Sequence, residues 1–412
     1  MNFAEEPALR REVANRREDL FDLAAQLVRI PTVLGAEEEA QRLIHERLQS
    51  AGFDVERIEP DAEAALEDPR AGYPSLSYEG RSSVVARLPG SGGGRSLHLN
   101  GHVDVVPVEH RERWQHDPWG GEIADGRLWG RGAGDMKSGL AACVVVAEIL
   151  AAHCEDRRGE LIVSSVIEEE CGGNGMWSVL RAGHRGDATL IAEPSDLCLD
   201  FAGTGVVWAK LIASSTAMHS MAACRHGAFD DLADAVAALR RLESERNSPP
   251  RDEVFAAVSD WPFGTSIGMI GGGVWTSSTP EELIAHVRIG FGRDTEPEEV
   301  QKAVADAVAK ASDRITVEFA AFRAHAHCHD HTGPWPELVG AAHQSVLDRP
   351  IVPAAITATS DARYITGPCV NYGPIAGALH GADEWVDLAS LEQAATVIAL
   401  AAATWLRAQA AA

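Results

Sequence analysis

Residues 97–139 constrain the chain more than any other stretch. They open on a short apolar strand, Ser96-Leu97-His98-Leu99-Asn100, and run into Gly101-His102-Val103-Asp104-Val105-Val106-Pro107. Side chains two apart on a strand point to one face, so His102 and Asp104 lie side by side where the strand meets Pro107, which cannot continue a central ladder. A histidine bound to a metal through one ring nitrogen needs an acceptor on the other, and Asp104 suits that role. Further on comes Leu128-Trp129-Gly130-Arg131-Gly132-Ala133-Gly134-Asp135-Met136-Lys137-Ser138-Gly139, leading into an Ala-rich apolar run. The alternating glycines permit close backbone approach and present Asp135 at the start of the following helix. A strand-end histidine and an N-capping aspartate would each be ordinary alone. Found together, they favour a metal site. The loop is not a nucleotide fingerprint, because G-x-G-x-x-G is not met and Lys137-Ser138 lacks the preceding glycine of a phosphate loop.

A chain of 412 residues exceeds one ordinary core and predicts two domains. Residues 9–51 read as helical. Strands are expected at 53–58, 83–88, 96–100, 160–166 and 188–192, with helices at 140–153 and 175–182. Gly90-Ser91-Gly92-Gly93-Gly94 reads as a hairpin loop between two of those strands. Such alternation indicates a mixed α/β sheet with helices on both faces and ligand groups at the carboxyl ends of strands. After residue 204 the order becomes β-α-β-β-α-β, that of a ferredoxin-like α+β domain, and the α/β pattern resumes from Pro336. We therefore expect an α/β domain from 1–203 and 321–412, with 204–320 inserted as a second domain.

Glu168-Glu169-Glu170 is the second informative stretch. Three acids at a strand end repel one another unless something positive neutralises them. Glutamate runs are usually solvated, but this one ends an apolar strand and is followed by Gly172-Gly173. A metal ligand next to a general base would explain it, the base being a carboxylate close to the metal but not bound by it. Glu193 follows the next strand directly. His380, between Leu379 and Gly381, is a candidate late ligand that alone would be an ordinary surface histidine.

A formal net charge of −25 argues against nucleic acid or an anionic membrane as partner. Met1 to Glu6 lacks the pattern of a secretory signal. The apolar run Leu140 to Leu150 is interrupted by Glu148 and reads as too short to span a bilayer. Seven cysteines without a C-x-x-C predict reduced thiols in a cytoplasm.

The ordered motifs Gly101-His102-Val103-Asp104, Gly132-Ala133-Gly134-Asp135-Met136-Lys137, Glu168-Glu169-Glu170, Glu193-Pro194, Ser360-Asp361-Ala362-Arg363 and His380-Gly381 carry a resemblance over most of the chain. It resembles the co-catalytic zinc amidohydrolase and exopeptidase family that includes acetylornithine deacetylase, succinyl-diaminopimelate desuccinylase, aminoacylase and glutamate carboxypeptidase. The resemblance implies two divalent metal ions, zinc first, with cobalt or manganese as alternatives. It implies that His102 binds one ion and His380 the other. Asp135 bridges them, Glu193 lies beside the ion of His102, and Glu170 lies beside that of His380. Glu169 is then the general base, and Asp104 orients His102. Three carboxylates against two divalent ions leave one net positive charge, suited to polarising a carbonyl and holding the resulting oxyanion.

The resemblance also implies that His219 reaches the oxyanion from the smaller domain, often that of a partner subunit, which makes the inserted domain a lid and a homodimer contact. Arg363 matches a residue that often binds a substrate carboxylate, a bidentate task suited to arginine. The lid departs from the family: Ser215 opens the usual Gly-x-x-x-His, the Pro and Asn after the histidine are replaced within Met221 to Phe229, and an Asn is missing from Gly273 to Ser278. The implied activity is hydrolysis of the amide bond of an N-acyl amino acid or related small molecule. Alternatives are a dipeptidase or carboxypeptidase of the same fold, a hydrolytic deaminase of an aromatic amine, and a non-catalytic binding protein, the last opposed by the intact metal and base set. Trp208, Trp261 and Trp275 could admit an aromatic group, though packing or dimer contact is the plainer reading. His325, His327, His329 and His331 would line one face of a strand and could bind a metal. A rim strand is preferred, since the family does not require such a site. Cys171 reads as inert packing.

Overall fold

The computed structural model describes residues 6–219, 221, 227–249 and 252–410. Residues 220 and 222–226, part of the stretch where the sequence departs from the resemblance, lie outside the described residues.

Strands form where apolar and β-branched residues run almost unbroken. Leu97–His102, Leu161–Val166 and Ala188–Ile191 are buried at every position, as expected of strands covered on both faces. Leu97–His102 lies between the other two and runs parallel to both. Ser83–Leu88 and then Asp54–Ile58 extend the sheet antiparallel on one side. Cys369–Asn371 and Leu199–Gly203 extend it on the other, and Leu199–Gly203 also pairs with His327–Cys328 and Pro353–Ile356. The result is a mixed nine-stranded sheet.

One expectation fails here. Ser83–Leu88 and Leu97–His102 do not form a hairpin across the glycine-rich turn, because Leu161–Val166 is inserted between them. The strand arrives by a crossover through the helix Ser138–His153, the connection that parallel pairing demands. That helix is apolar all round and almost wholly buried, as is Leu388–Arg407, which packs against it. The stretches Ala133–His153 and Leu388–Arg407 have the length and composition of membrane spans, so the apolar run is longer than expected. However, 83% and 78% of their most apolar windows are buried inside the fold. Glycine lets the first helix descend onto the strand ends: a Cβ at Gly139 would meet the Ala192 carbonyl oxygen at 1.9 Å.

The inserted region carries its own four-stranded sheet in the order Thr265–Gly272, Glu282–Phe291, Gly205–Ser214, Ile315–Ala324. Helices Ala228–Arg246 and Pro297–Ala311 supply Leu232, Val300 and Val304 to a core with Val207, Leu211 and Val287. The last strand continues to Ala324, opposite Val206, so the boundary drawn at 320/321 falls inside it. A third sheet was not anticipated. Glu122–Ala124, Arg127–Trp129, Trp385–Asp387 and Ala376–Gly377 pair antiparallel, bringing the Asp135 loop beside the His380 loop.

Candidate metal centre

His102 ends its strand with a fully buried side chain. Its Nδ1 lies 2.9 Å from the backbone carbonyl of Asp104, which can only accept, so Nδ1 carries the proton. Its Nε2 then faces Asp135 Oδ1 at 3.1 Å and Glu193 Oε2 at 3.9 Å. The Asp104 carboxylate takes a different part from the one expected. It stands 3.8 Å from His102 Nδ1, while its oxygens accept from the Glu169 and Glu170 backbone amides at 3.1 Å each. Asp104 thus orients His102 through its carbonyl and fixes the Glu169-Glu170 turn through its carboxylate.

Asp135 follows Gly132, whose φ of +80° suits glycine and whose Cβ would strike Val105 Cγ1 at 2.5 Å. One Asp135 oxygen faces His102, and the other lies 3.5 Å from His380 Nε2. Glu170 Oε2 is 3.1 Å from the same His380 nitrogen. Among the described residues, donor atoms of His102, Asp135 and Glu170 lie within 4.8 Å of one another, and so do those of His102, Glu169 and Glu193.

The charges in the cluster act on one another at close range. Burial opposes a charge on His102, but Asp135, Glu193 and Asp104 hold its pKa well above the usual value. Hydrogen bonds to Asp135 and Glu170 push His380 up to about 11. Burial pushes Glu170 up to about 7, with the Asp135 charge adding to it, and carries Glu193 well above its usual value. Burial would raise Asp135 too, yet the two histidines hold it well below the carboxylate range. Four carboxylates around two buried or half-buried imidazoles form an arrangement of donor atoms that suits divalent cations. The nitrogen and oxygen donors suit zinc, cobalt or manganese.

Arg131 and Glu384, which sequence reasoning passed over, join the two halves. They form a buried ion pair. Glu384 Oε1 accepts from the Gly134 and Asp135 amides at 3.0 Å each, and Arg131 Nη2 donates to the His380 carbonyl at 3.0 Å. Their nearness in sequence to Asp135 and His380 was the available signal. Asp361, whose Oδ2 accepts from Asn100 Nδ2 at 3.2 Å, was likewise quoted without a role.

Arg363 does not face open solvent. Its side chain is 1% exposed, and Nη1 lies 3.2 Å from Glu169 Oε1. Nη2 donates to the Gly172 carbonyl at 3.3 Å, and the guanidinium lies over the Tyr364 and Phe322 rings. His219 stands apart from the cluster: its Nδ1 accepts from Met221 N at 3.2 Å, and its backbone bridges to Ser278. Trp208 packs edge-on against Phe322, Trp261 donates to Glu243, and Trp275 is exposed.

The four alternating histidines diverge instead of sharing one face. His325 pairs with Glu296, buried His327 meets His329 at a tilt, His329 reaches the Ala362 carbonyl, and His331 stacks on Phe201. Burial holds His327 down to about 3. The group holds no metal-binding cluster among the described residues. Burial also keeps the Cys171 thiol well above its usual pKa, so it is protonated packing.

The pattern of peptidase family M20/M25/M40 matches residues 98–404. The chain belongs to that family. Among M20/M25/M40 relatives, a succinyl-diaminopimelate desuccinylase of Cereibacter sphaeroides is 30% identical over 392 residues, covering 91% of this chain and 95% of that protein. The N-formyl-4-amino-5-aminomethyl-2-methylpyrimidine deformylase of Bacillus subtilis is 26% identical, covering 94% and 93%. Among solved structures, the dipeptidase Dug1p of Saccharomyces cerevisiae superposes with a TM-score of 0.83 at 14% identity, covering 99% of this chain and all of that one. The Bacillus subtilis YXEP protein, a dinuclear metal-binding peptidase of the M20 family, gives 0.61 at 15% identity, covering 95% and 99%. These two structures share the M20 fold.

Proposed function

We propose that this M20-family hydrolase uses two divalent metal ions, zinc by preference, to cleave the amide bond of an N-acyl amino acid or a related small N-acyl compound. The observation that carries the reading is Asp135, which turns one carboxylate oxygen to His102 and the other to His380. His102, Asp135 and Glu193 would hold one ion, and Asp135, Glu170 and His380 the other. When bound, such a pair supplies Lewis acidity to the scissile carbonyl. Glu169 would take a proton from the attacking water and pass it to the leaving nitrogen. Arg363 fixes one oxygen of Glu169, and Asp104 fixes its backbone amide. The desuccinylase and deformylase relatives both bear the names of acyl-removing enzymes, which favours an N-acyl substrate over a dipeptide.

We further propose that the inserted domain serves as lid and dimer contact, with His219 completing the site of a partner subunit and Arg363 contributing near the substrate carboxylate. Exposed apolar residues on an edge strand and its turn, Met269, Ile270, Val274 and Trp275, support a homodimer through that domain. The six described cysteines carry no disulfide, which supports a cytoplasmic setting. The deciding experiment combines elemental analysis with release of free amine from N-acetyl, N-formyl and N-succinyl amino acids and simple dipeptides, on the wild type and Glu169→Ala. Two ions per chain and turnover lost in the variant are expected. Absence of metal overturns the reading, and turnover of dipeptides alone replaces the substrate class.

A further inference from the structure

Arg363 also lines a cavity of about 620 Å³ that lies between the two domains. That is the size of a small-molecule site, roughly 300–1,000 Å³. Arg70, Arg181, Arg185 and Arg363 line it from the large domain, Glu296 from the small one and His325 from the crossing between them, and Trp177 forms part of the wall. In a chain of net charge −25 such a gathering of arginines is unusual, and arginine forks match carboxylate and phosphate oxygens.

Two of the cations there, Arg181 and Arg185, are only loosely committed. Asp68 and Glu296, the acids in the wall, are paired with Arg70 and His325 at 2.8 and 3.0 Å. Arg181 reaches Asp61 at 3.4 Å with both side chains more than half exposed, a pair of little energetic weight. Arg185 makes no ion pair among the described residues. Arg363 is the independent sign. Although its side chain is 1% exposed, its Nε is buried without a hydrogen-bond partner, and a buried donor left unsatisfied is costly. Arg181 over Trp177 and Arg363 over Tyr364 add flat surfaces that would cover the body of a ligand.

From this arrangement we infer that the cavity is a binding site for a compact, multiply charged oxyanion, a small dicarboxylate or a phosphorylated metabolite, held by Arg185, Arg181 and Arg363. None of His102, Asp135, Glu170, Glu193 and His380 lines the site. Its occupant would share Arg363 with Glu169, so binding would report on the base. Only that coupling rests on the proposed hydrolase reading.

The test is calorimetric titration of succinate, and separately inorganic phosphate, into the metal-loaded full-length protein and its variants. One saturable site is expected, weakened about tenfold or more by Arg185→Ala, which removes a charge-assisted contact. Glu296→Gln should tighten binding by removing a repelling charge, while His380→Ala should leave it unchanged. Tighter succinate binding assigns a dicarboxylate, and tighter phosphate binding a phosphoryl group. Absence of saturable binding by either anion, or binding unchanged by Arg185→Ala and lost in His380→Ala, would overturn the site. No step requires turnover, so failure of the hydrolase reading would leave this result intact.

Discussion

The His102 half of the cluster rests on central strands, whereas the His380 half rests on loops. His102 is the buried last residue of Leu97–His102, and Glu193 follows the parallel neighbour Ala188–Ile191. His380 has a φ of +61° and a side chain 52% exposed, and its loop is tied down by Arg131, Glu384 and a small sheet of two- and three-residue strands. The first half is organised by the same ladder that builds the core. The second depends on a buried ion pair and must be kept in place. Such an asymmetry predicts unequal affinity, with the His380 half filling last and emptying first.

The largest expected effect tests whether Glu169 belongs to either half. Glu169→Gln should lower kcat by about 10²–10⁴-fold, the range for a lost general base, while elemental analysis still finds two ions. Loss of an ion would move Glu169 among the ligands and break the division. Next comes the clamp. Arg131→Met leaves the Glu384 carboxylate buried without its paired cation, so chemical denaturation should show a loss of about 3–5 kcal/mol. The ion of the His380 half should dissociate first in a chelator titration, and simultaneous loss of both ions would contradict the comparison. A smaller effect separates the two histidines. His380→Ala takes the cation away from buried Asp135 and Glu170, so it should lower folding stability by about 2–3 kcal/mol, less than the loss of a fully buried pair because the imidazole is half exposed, and retain one ion. His102→Ala, opening a hole beneath Asp135, should lower the melting temperature as well.

The smallest effect sharpens the contrast between acids that face histidines and one that does not. Burial raises Asp200 to about 7 with no cation beside it, the Asp196 charge adding to the shift. The folded state therefore holds a proton that the unfolded chain releases. Stability contributed by the protonated form is complete below the ordinary aspartate range, falls as pH rises from there to about 7, and is level above it. Asp200→Asn should match the wild type near pH 4 and exceed it near pH 8 by on the order of 1–2 kcal/mol, as read from urea midpoints at each pH. A variant equally destabilised at both pH values would show that Asp200 acts through packing instead.

Much of the fold was legible because its periodicities are local. Alternating strand and helix patterns located the main elements, and the switch to β-α-β-β-α-β after residue 204 anticipated the separate four-stranded sheet. The same locality misled at Gly90 to Gly94, where a turn signal between two strands suggested a hairpin. Loop chemistry reports that a chain turns, not which strand fills the space beside it, and here a distant strand does. The third sheet escaped notice because two- and three-residue strands carry no readable period.

By itself, the sequence determined the chemistry on offer: which carboxylates and imidazoles stand at strand ends, and in what order. Tertiary structure alone decided how they are used. It set the Asp104 carboxylate on the backbone of Glu169 and Glu170, laid Arg363 against Glu169, and brought Glu384 under Asp135 from 249 residues away. The physical reason is that a ligand's identity is a property of one residue, whereas its orientation depends on hydrogen bonds from whatever segment packs behind it, and no local pattern records that neighbour.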